Sequence, residues 1–115
     1  KRICDESTVV RAVQEFGNRS LDHTLMIPMR YSAGLMLGDE PFGIWGPHSR
    51  QAFGHVGLIN KFAWADPQRE LSAAILTSGI PVIAHHILPL ANLIRSIGNL
   101  TPRSQGLQPL ALQFK

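Results

Sequence analysis

The sequence has a single cysteine, Cys4, among 115 residues. An internal disulfide is therefore excluded, while a cytoplasmic and a periplasmic or secreted location both stay open. No uncharged apolar run approaches the ~20 residues that a membrane-spanning helix needs, and no basic-then-apolar leader opens the chain. Basic residues are not clustered. The net charge is +3, but Arg11, Arg19, Arg30, Arg50, Lys61, Arg69, Arg95 and Arg103 stand singly along the chain. No aromatic residues alternate with them, which argues against nucleic acid as a partner. There is no internal repeat and no low-complexity tract.

What is present suffices for a packed core. Hydrophobic residues make up 44% of the chain, well above the composition of a disordered segment. The length fits one small domain or part of a larger one. The sequence opens on Lys1-Arg2 rather than Met, so a piece of a longer polypeptide is expected, with residues 1–98 as the C-terminal portion of a domain and 99–115 as a tail.

The chain is organised around Phe53–Ser78. Two apolar runs, Gly57–Ala65 and Leu71–Thr77, flank Asp66-Pro67-Gln68-Arg69-Glu70. Asp66 suits the first position of a type I turn, and Pro67 fixes the backbone angle of the second. The pattern predicts a β-hairpin. In its first strand Leu58, Asn60, Phe62 and Trp64 share one face, and Ile59, Lys61, Ala63 and Ala65 the other. The second strand is apolar or small on both faces, which suits an inner strand.

Elsewhere, Asp5-Glu6-Ser7-Thr8 offers cap residues ahead of Val9, Val10, Val13 and Phe16, predicting a helix over Ser7–Phe16 ended at Gly17. Asn18–Pro28 reads as a connector. Arg30–Gly38 reads as a strand, with Tyr31, Ala33, Leu35 and Leu37 on one face and Gly34 marking a bulge or a close backbone approach. Asp39–Arg50 reads as a loop from which Trp45 packs downward. Ile83, Ile87, Leu90, Ile94 and Ile97 form a helical stripe over Pro81–Ile97, kinked near Pro89 and ended by Gly98-Asn99. The expected architecture is α+β: an antiparallel sheet with the C-terminal helix on one face and the other face bare.

Phe53-Gly54-His55-Val56-Gly57, the Trp64-Ala65-Asp66-Pro67 turn, the returning apolar strand and the terminal helix together resemble the last conserved-type block of the serine β-lactamase-like hydrolases. That superfamily comprises class C β-lactamases, DD-peptidases and esterases on the same fold. The resemblance covers Ile27–Ile97. Here His55-Val56-Gly57 stands where the penicillin-recognising enzymes have Lys-Thr-Gly, an esterase-like form. The resemblance implies a β-lactamase/transpeptidase-like fold. It implies that His55 faces substrate, as a donor to it or as a partner of a missing tyrosine. It implies that Gly57 lets substrate lie against the strand, and that the backbone N–H of Leu58 is an oxyanion donor, typically worth ~3 kcal/mol. It calls for no cofactor and no metal. Val56 lacks the hydroxyl of the β-lactamase pattern, which favours a neutral ester or amide over a β-lactam.

The family's nucleophile block, Ser-x-x-Lys, is missing. The lysines are Lys1, Lys61 and Lys115, and Leu58 and Leu112 stand three places before the latter two. The sole tyrosine, Tyr31, is followed by Ser32-Ala33, so Tyr-x-Asn is missing as well. Ser49 and Ser32 lie in no Gly-x-Ser-x-Gly elbow. His85-His86 is a poor chelating pair, because adjacent helical residues point about 100° apart. The expectation is part of a serine hydrolase acting through an acyl-enzyme, with the nucleophile outside these residues and the isolated chain inactive. The alternatives are a non-catalytic module of the same fold and a small α+β domain that self-associates through its bare sheet face. The expected partners are a small ester or amide and the remainder of the parent polypeptide.

Overall fold

The computed structural model describes residues 3–57, 61–78 and 87–104. In chain order these hold α1 (Glu6–Val13), β1 (Ser20–Asp22), β2 (Ile27–Tyr31), β3 (Met36–Leu37), β4 (Phe42–Gly43), β5 (Gly46–Pro47), β6 (Phe53–Gly57), β7 (Lys61–Asp66), β8 (Leu71–Ile75) and α2 (Ile87–Leu100). The class is α+β. One antiparallel sheet has the order β1-β2-β3-β6-β7-β8, and β4 and β5 pair separately. Strand order follows chain order, because short connections make sequential strands neighbours. Among the described residues no helix is long and apolar enough to cross a membrane.

The turn after β7 forms as its residues dictate. The Asp66 carboxylate accepts from Gln68 N–H at 3.0 Å. Pro67 opens a single 3-10 turn, and Glu70, at φ +50°, hands the chain to β8. Asp66 and Leu71 close the ladder as partners.

Alternation along β7 divides the sheet into two faces. Phe62 and Trp64 are buried, while Lys61 and Ala63 are exposed. The Trp45 ring stacks on Trp64 with centroids 5.7 Å apart, and its indole N–H donates to Met36 O at 3.0 Å. Ile94 of α2 is 3% exposed in the same cluster, with Leu90 and Ile97 packed beside it. Each such buried side chain contributes about 1.5–3 kcal/mol of burial. The helical stripe is thus the seam between α2 and the sheet. Ile83, the side chain of Ile87 and the His85 carbonyl at the expected Pro89 kink lie outside the described residues.

Several elements differ from the sequence reading. The expected strand Arg30–Gly38 is a hairpin. Ser32 N–H donates to Leu35 O at 2.9 Å, and the Ser32 hydroxyl accepts from Leu35 N–H at 3.0 Å. That side-chain turn overrides the alternation. Tyr31 therefore pairs with Met36, and Leu37 with Arg30, so Tyr31 and Leu37 sit in rows on opposite faces. Gly34 lies in the turn with open space about it. The expected connector Asn18–Pro28 contains β1 and the start of β2, and the expected loop Asp39–Arg50 contains β4 and β5. The expected strand Gly57–Ala65 is two: Gly57 ends β6, and its partner Lys61 opens β7. β8 is an edge strand among the described residues, not an inner one. Its small Ser72 and Ala74 sit exposed opposite the half-buried Leu71, Ala73 and Ile75, and small residues suit either environment. α1 starts one residue early, without a side-chain cap, and ends at Val13. Phe16 is 79% exposed, and its N–H donates to Tyr31 O. α2 runs through Gly98 and Asn99 to Leu100. A third of the expected tail is thus accounted for: Asn99 and Leu100 are helical, and Ser104 N–H donates to Gln68 O at 2.8 Å.

A single side chain joins the turn, the helix end and the β5 loop. Arg69, only 6% exposed, pairs with buried Asp66 at 2.5 Å. It also donates to the carbonyls of Gly98, Thr101, Pro47 and His48. Cations at a helix C-terminus favourably meet its unpaired carbonyls.

Candidate functional site

His55 is the middle residue of β6. It is exposed, and it shares a face with Gly57 because the two are separated by one residue. That face is the one turned away from the Phe62–Trp64–Ile94 core. Register carries the row onward: His55 pairs with Ala63, and Ala63 with Ala74. The next row is Phe53, Ala65 and Ser72. Together these residues floor a shallow trough of about 530 Å3, with Leu35 at its margin. Among the described residues no carboxylate, guanidinium or ammonium lines it; exposed Lys61, paired with Gly57, stands on the same face one row beyond His55 and Ala63.

The local sequence explains why the trough is open. Gly54 lies in the opposite row, paired with Trp64. A Cβ there would run into Ala63 O and sit 2.6 Å from Trp64 Cβ, so only glycine lets β6 lie this close to the Trp64 strand. Ala63, Ala65, Ser72 and Ala74 then leave the other face flat.

Of the residues singled out from sequence, the structure brings His55, exposed, and Gly57, half-buried, onto one sheet face. Leu58 lies outside the described residues, as do His85 and His86. Val56 packs against the core cluster on the opposite face. A hydroxyl in its place would be turned away from His55, so Val56 carries no argument about β-lactams here. Ser49 is 1% exposed and its hydroxyl donates to Gly46 O at 2.8 Å; Ser32 is held in its turn. Neither is placed to act with His55. Phe62 and Trp64 are core, as expected, and Cys4 is exposed. Among the described residues no group of three His, Cys, Asp or Glu side chains could hold a metal ion. Sequence reading missed Ser72, the trough's only hydroxyl among the described residues. Its only signal was its place two residues from Ala74, on the same face of β8.

Tyr31 is removed from proton chemistry by a different partner. Its hydroxyl donates to the Asp22 carboxylate, whose other oxygen accepts from Thr24 and Leu25 N–H groups at 2.7 and 2.8 Å. Burial first, and then the Asp22 hydrogen bond, push the Tyr31 pKa up to about 12. The same phenol and those backbone N–H groups hold Asp22 below the usual carboxylate range. Because Tyr31 is the sole tyrosine, its titration can be read without interference. Tyrosinate absorbance of the folded chain is expected to rise near pH 12, and in denaturant near the ordinary ~10. The folded pKa is the higher, so this stabilisation is complete below the unfolded value and is lost as pH climbs toward 12. Asp22→Asn should move the folded midpoint down. An unchanged midpoint in that variant would refute the assignment of cause.

No family model, curated protein or solved structure matches the chain.

Proposed function

We propose that the chain is the C-terminal part of a serine hydrolase of the β-lactamase-like fold, acting on an uncharged ester or amide through an acyl-enzyme. One observation supports this reading above the others: exposed His55 and half-buried Gly57 share the sheet face opposite α2, beside a trough to which β7 and β8 contribute only alanine and serine side chains from that face. In the resembled family the strand bearing His-x-Gly forms one wall of the site, and the nucleophile comes from elsewhere in the polypeptide. His55 would donate to substrate, Gly57 would leave room for it, and Leu58 N–H would join the oxyanion donors. The bare face is where the remaining polypeptide would meet the sheet.

In the longer polypeptide, His55→Ala is expected to lower kcat/KM for a short-chain activated ester by about 10²–10³-fold, the scale of a lost positioned proton donor. The melting temperature should not move, because His55 is exposed. The 115 residues alone should hydrolyse neither that ester nor a chromogenic β-lactam, since acyl transfer needs an attacking group within ~3 Å of its base. Full turnover in His55→Ala would make His55 structural and favour the non-catalytic module. Turnover by the isolated chain that His55→Ala abolishes would place the nucleophile within these residues.

A further inference from the structure

Two ion pairs of opposite polarity fasten the segment after α1 to the sheet. Glu15 grips the Arg30 guanidinium with both oxygens, accepting from Nε at 2.9 Å and from Nη2 at 2.7 Å. Further on, Arg19 Nε lies 3.0 Å from the Asp39 carboxylate. Gly17, at φ +80°, turns the chain between the two pairs, and the Phe16 N–H donates to Tyr31 O at 2.8 Å. The sheet-side partners are deep and the strap-side partners shallow. Arg30 and Asp39 side chains are each 10% exposed, against 33% for Glu15 and 52% for Arg19. α1 itself has no buried residue and no side-chain cap. A helix this short has little stability of its own in water, so it depends on its ties to the sheet.

Arg30 is also held from its other side. Its Nη1 donates to Gly38 O at 2.6 Å and to Arg50 O at 3.4 Å. Those backbone acceptors keep the guanidinium plane in place whether or not Glu15 is there. The Nε–Nη2 edge is left as a preorganised fork, the geometry that takes a carboxylate through two parallel hydrogen bonds. Asp39 attracts Arg30 as well, but its carboxylate is engaged by Arg19 and by the Glu40 N–H at 2.8 Å. A guanidinium this little exposed is costly to leave without an anion on that edge.

We propose that Arg30 is a carboxylate-binding seat that the chain fills with its own Glu15, and that residues 5–19 form a strap which opens as a unit and yields the seat to another carboxylate. The inference stands apart from the reading of His55. Acid opens the strap. The Arg30 hydrogen bonds, with added attraction from Arg30 and Arg50, hold the Glu15 carboxyl below the usual range despite its partial burial. The folded value is the lower one. The tie is therefore complete above the unfolded value of ~4.3 and is lost as pH falls through the folded one.

The test is NMR of the isotope-labelled 115-residue chain at about pH 6.5, where carboxylates are charged. In Glu15→Ala, the backbone shifts of Val10–Val13 are expected to move toward coil values while those of β6 and β7 stay in place. Acetate, added at constant ionic strength, should then move the Arg30 Nε–H resonance of this variant saturably. In the wild type it should bind at least about tenfold more weakly, because Glu15 is a tethered competitor. Acetamide, the same shape without the charge, should move neither. Arg19→Ala leaves the seat untouched but frees the far end of the strap, so its acetate affinity should fall between the two. On acidification of the wild type, α1 should reach coil values before β7 does. Glu15→Gln, which keeps the bulk of the side chain, should repeat the acetate result. Unchanged α1 shifts in Glu15→Ala, or loss of β6 and β7 signals together with α1, would overturn the strap. Acetate that binds wild type and variant alike, or neither, would overturn the seat. An Arg19→Ala affinity equal to the wild type's would show that the strap does not open as a unit.

Discussion

Arg69→Leu is expected to lower the unfolding free energy of the chain by about 3–5 kcal/mol, the cost of breaking a buried ion pair from one side. The magnitude follows from what is left behind. Asp66 is 2% exposed, and without Arg69 its carboxylate keeps, among the described residues, only the Gln68 N–H as a partner. The carbonyls of Gly98 and Thr101 at the end of α2, and of Pro47 and His48 beside β5, each lose their guanidinium donor. A surface ion pair would be worth at most about 1 kcal/mol, but both side chains here are at least nine-tenths buried. Arg69→Lys should recover only part of the loss, because one ammonium cannot reach acceptors on three segments as the planar fork does. Asp66→Asn combined with Arg69→Leu should be milder than Arg69→Leu alone, since no charge is then stranded. Urea unfolding followed by tryptophan fluorescence measures this directly, because both tryptophans sit in the core. A loss below about 1 kcal/mol for Arg69→Leu would show that the pair is as well screened as an exposed one.

Arg69 also shows where sequence reading stops. Asp66 and Pro67 announced the turn because their effects act over one or two residues, through fixed backbone angles and a short side-chain hydrogen bond. Alternation in Phe62 and Trp64 and the stripe through Leu90, Ile94 and Ile97 announced which faces meet, because burial imposes a period. Arg69 belonged to the same polar turn and carried no such mark. Four of its acceptors are backbone carbonyls 21 to 32 residues away, and a carbonyl has no identity in a sequence. Strand ends were hidden for a related reason. Ser32 can join a strand or close a turn with its own hydroxyl, and Tyr31 through Leu37 alternates well enough to mask the choice. The candidate site was half legible. His55 and Gly57 were visible as a spaced pair beside the Asp66-Pro67 turn. The floor was not, because it is assembled by register from β7 and β8, and alanine and serine signal neither burial nor function.

The last prediction separates the two glycines of β6. Gly54→Ala is expected to cost more than about 3 kcal/mol and to disturb the Trp45–Trp64 stack, whereas Gly57→Ala should change stability by less than about 1 kcal/mol. At Gly54 an added methyl meets backbone, the Ala63 carbonyl, and lies 2.7 Å from Trp64 Cα. Backbone in the middle of a ladder cannot rotate aside as a flexible side chain can, so β6 and β7 would have to separate. At Gly57 the nearest atoms to such a methyl among the described residues are Lys61 Cβ at 3.4 Å and Lys61 O at 3.5 Å, which is ordinary contact. Its backbone angles also lie outside the left-handed region, and alanine is slightly favoured over glycine within a strand. The described residues therefore explain Gly54 in full and give no reason for Gly57. If Gly57 serves a ligand lying against the strand, Gly57→Ala in the longer polypeptide should raise KM or lower kcat while the melting temperature holds. Thermal unfolding of the two variants, with ester turnover of the second, decides the matter. Equal destabilisation by both would mean that β6 and β7 pack alike along their length, and Gly57 would lose its claim to a role in the site.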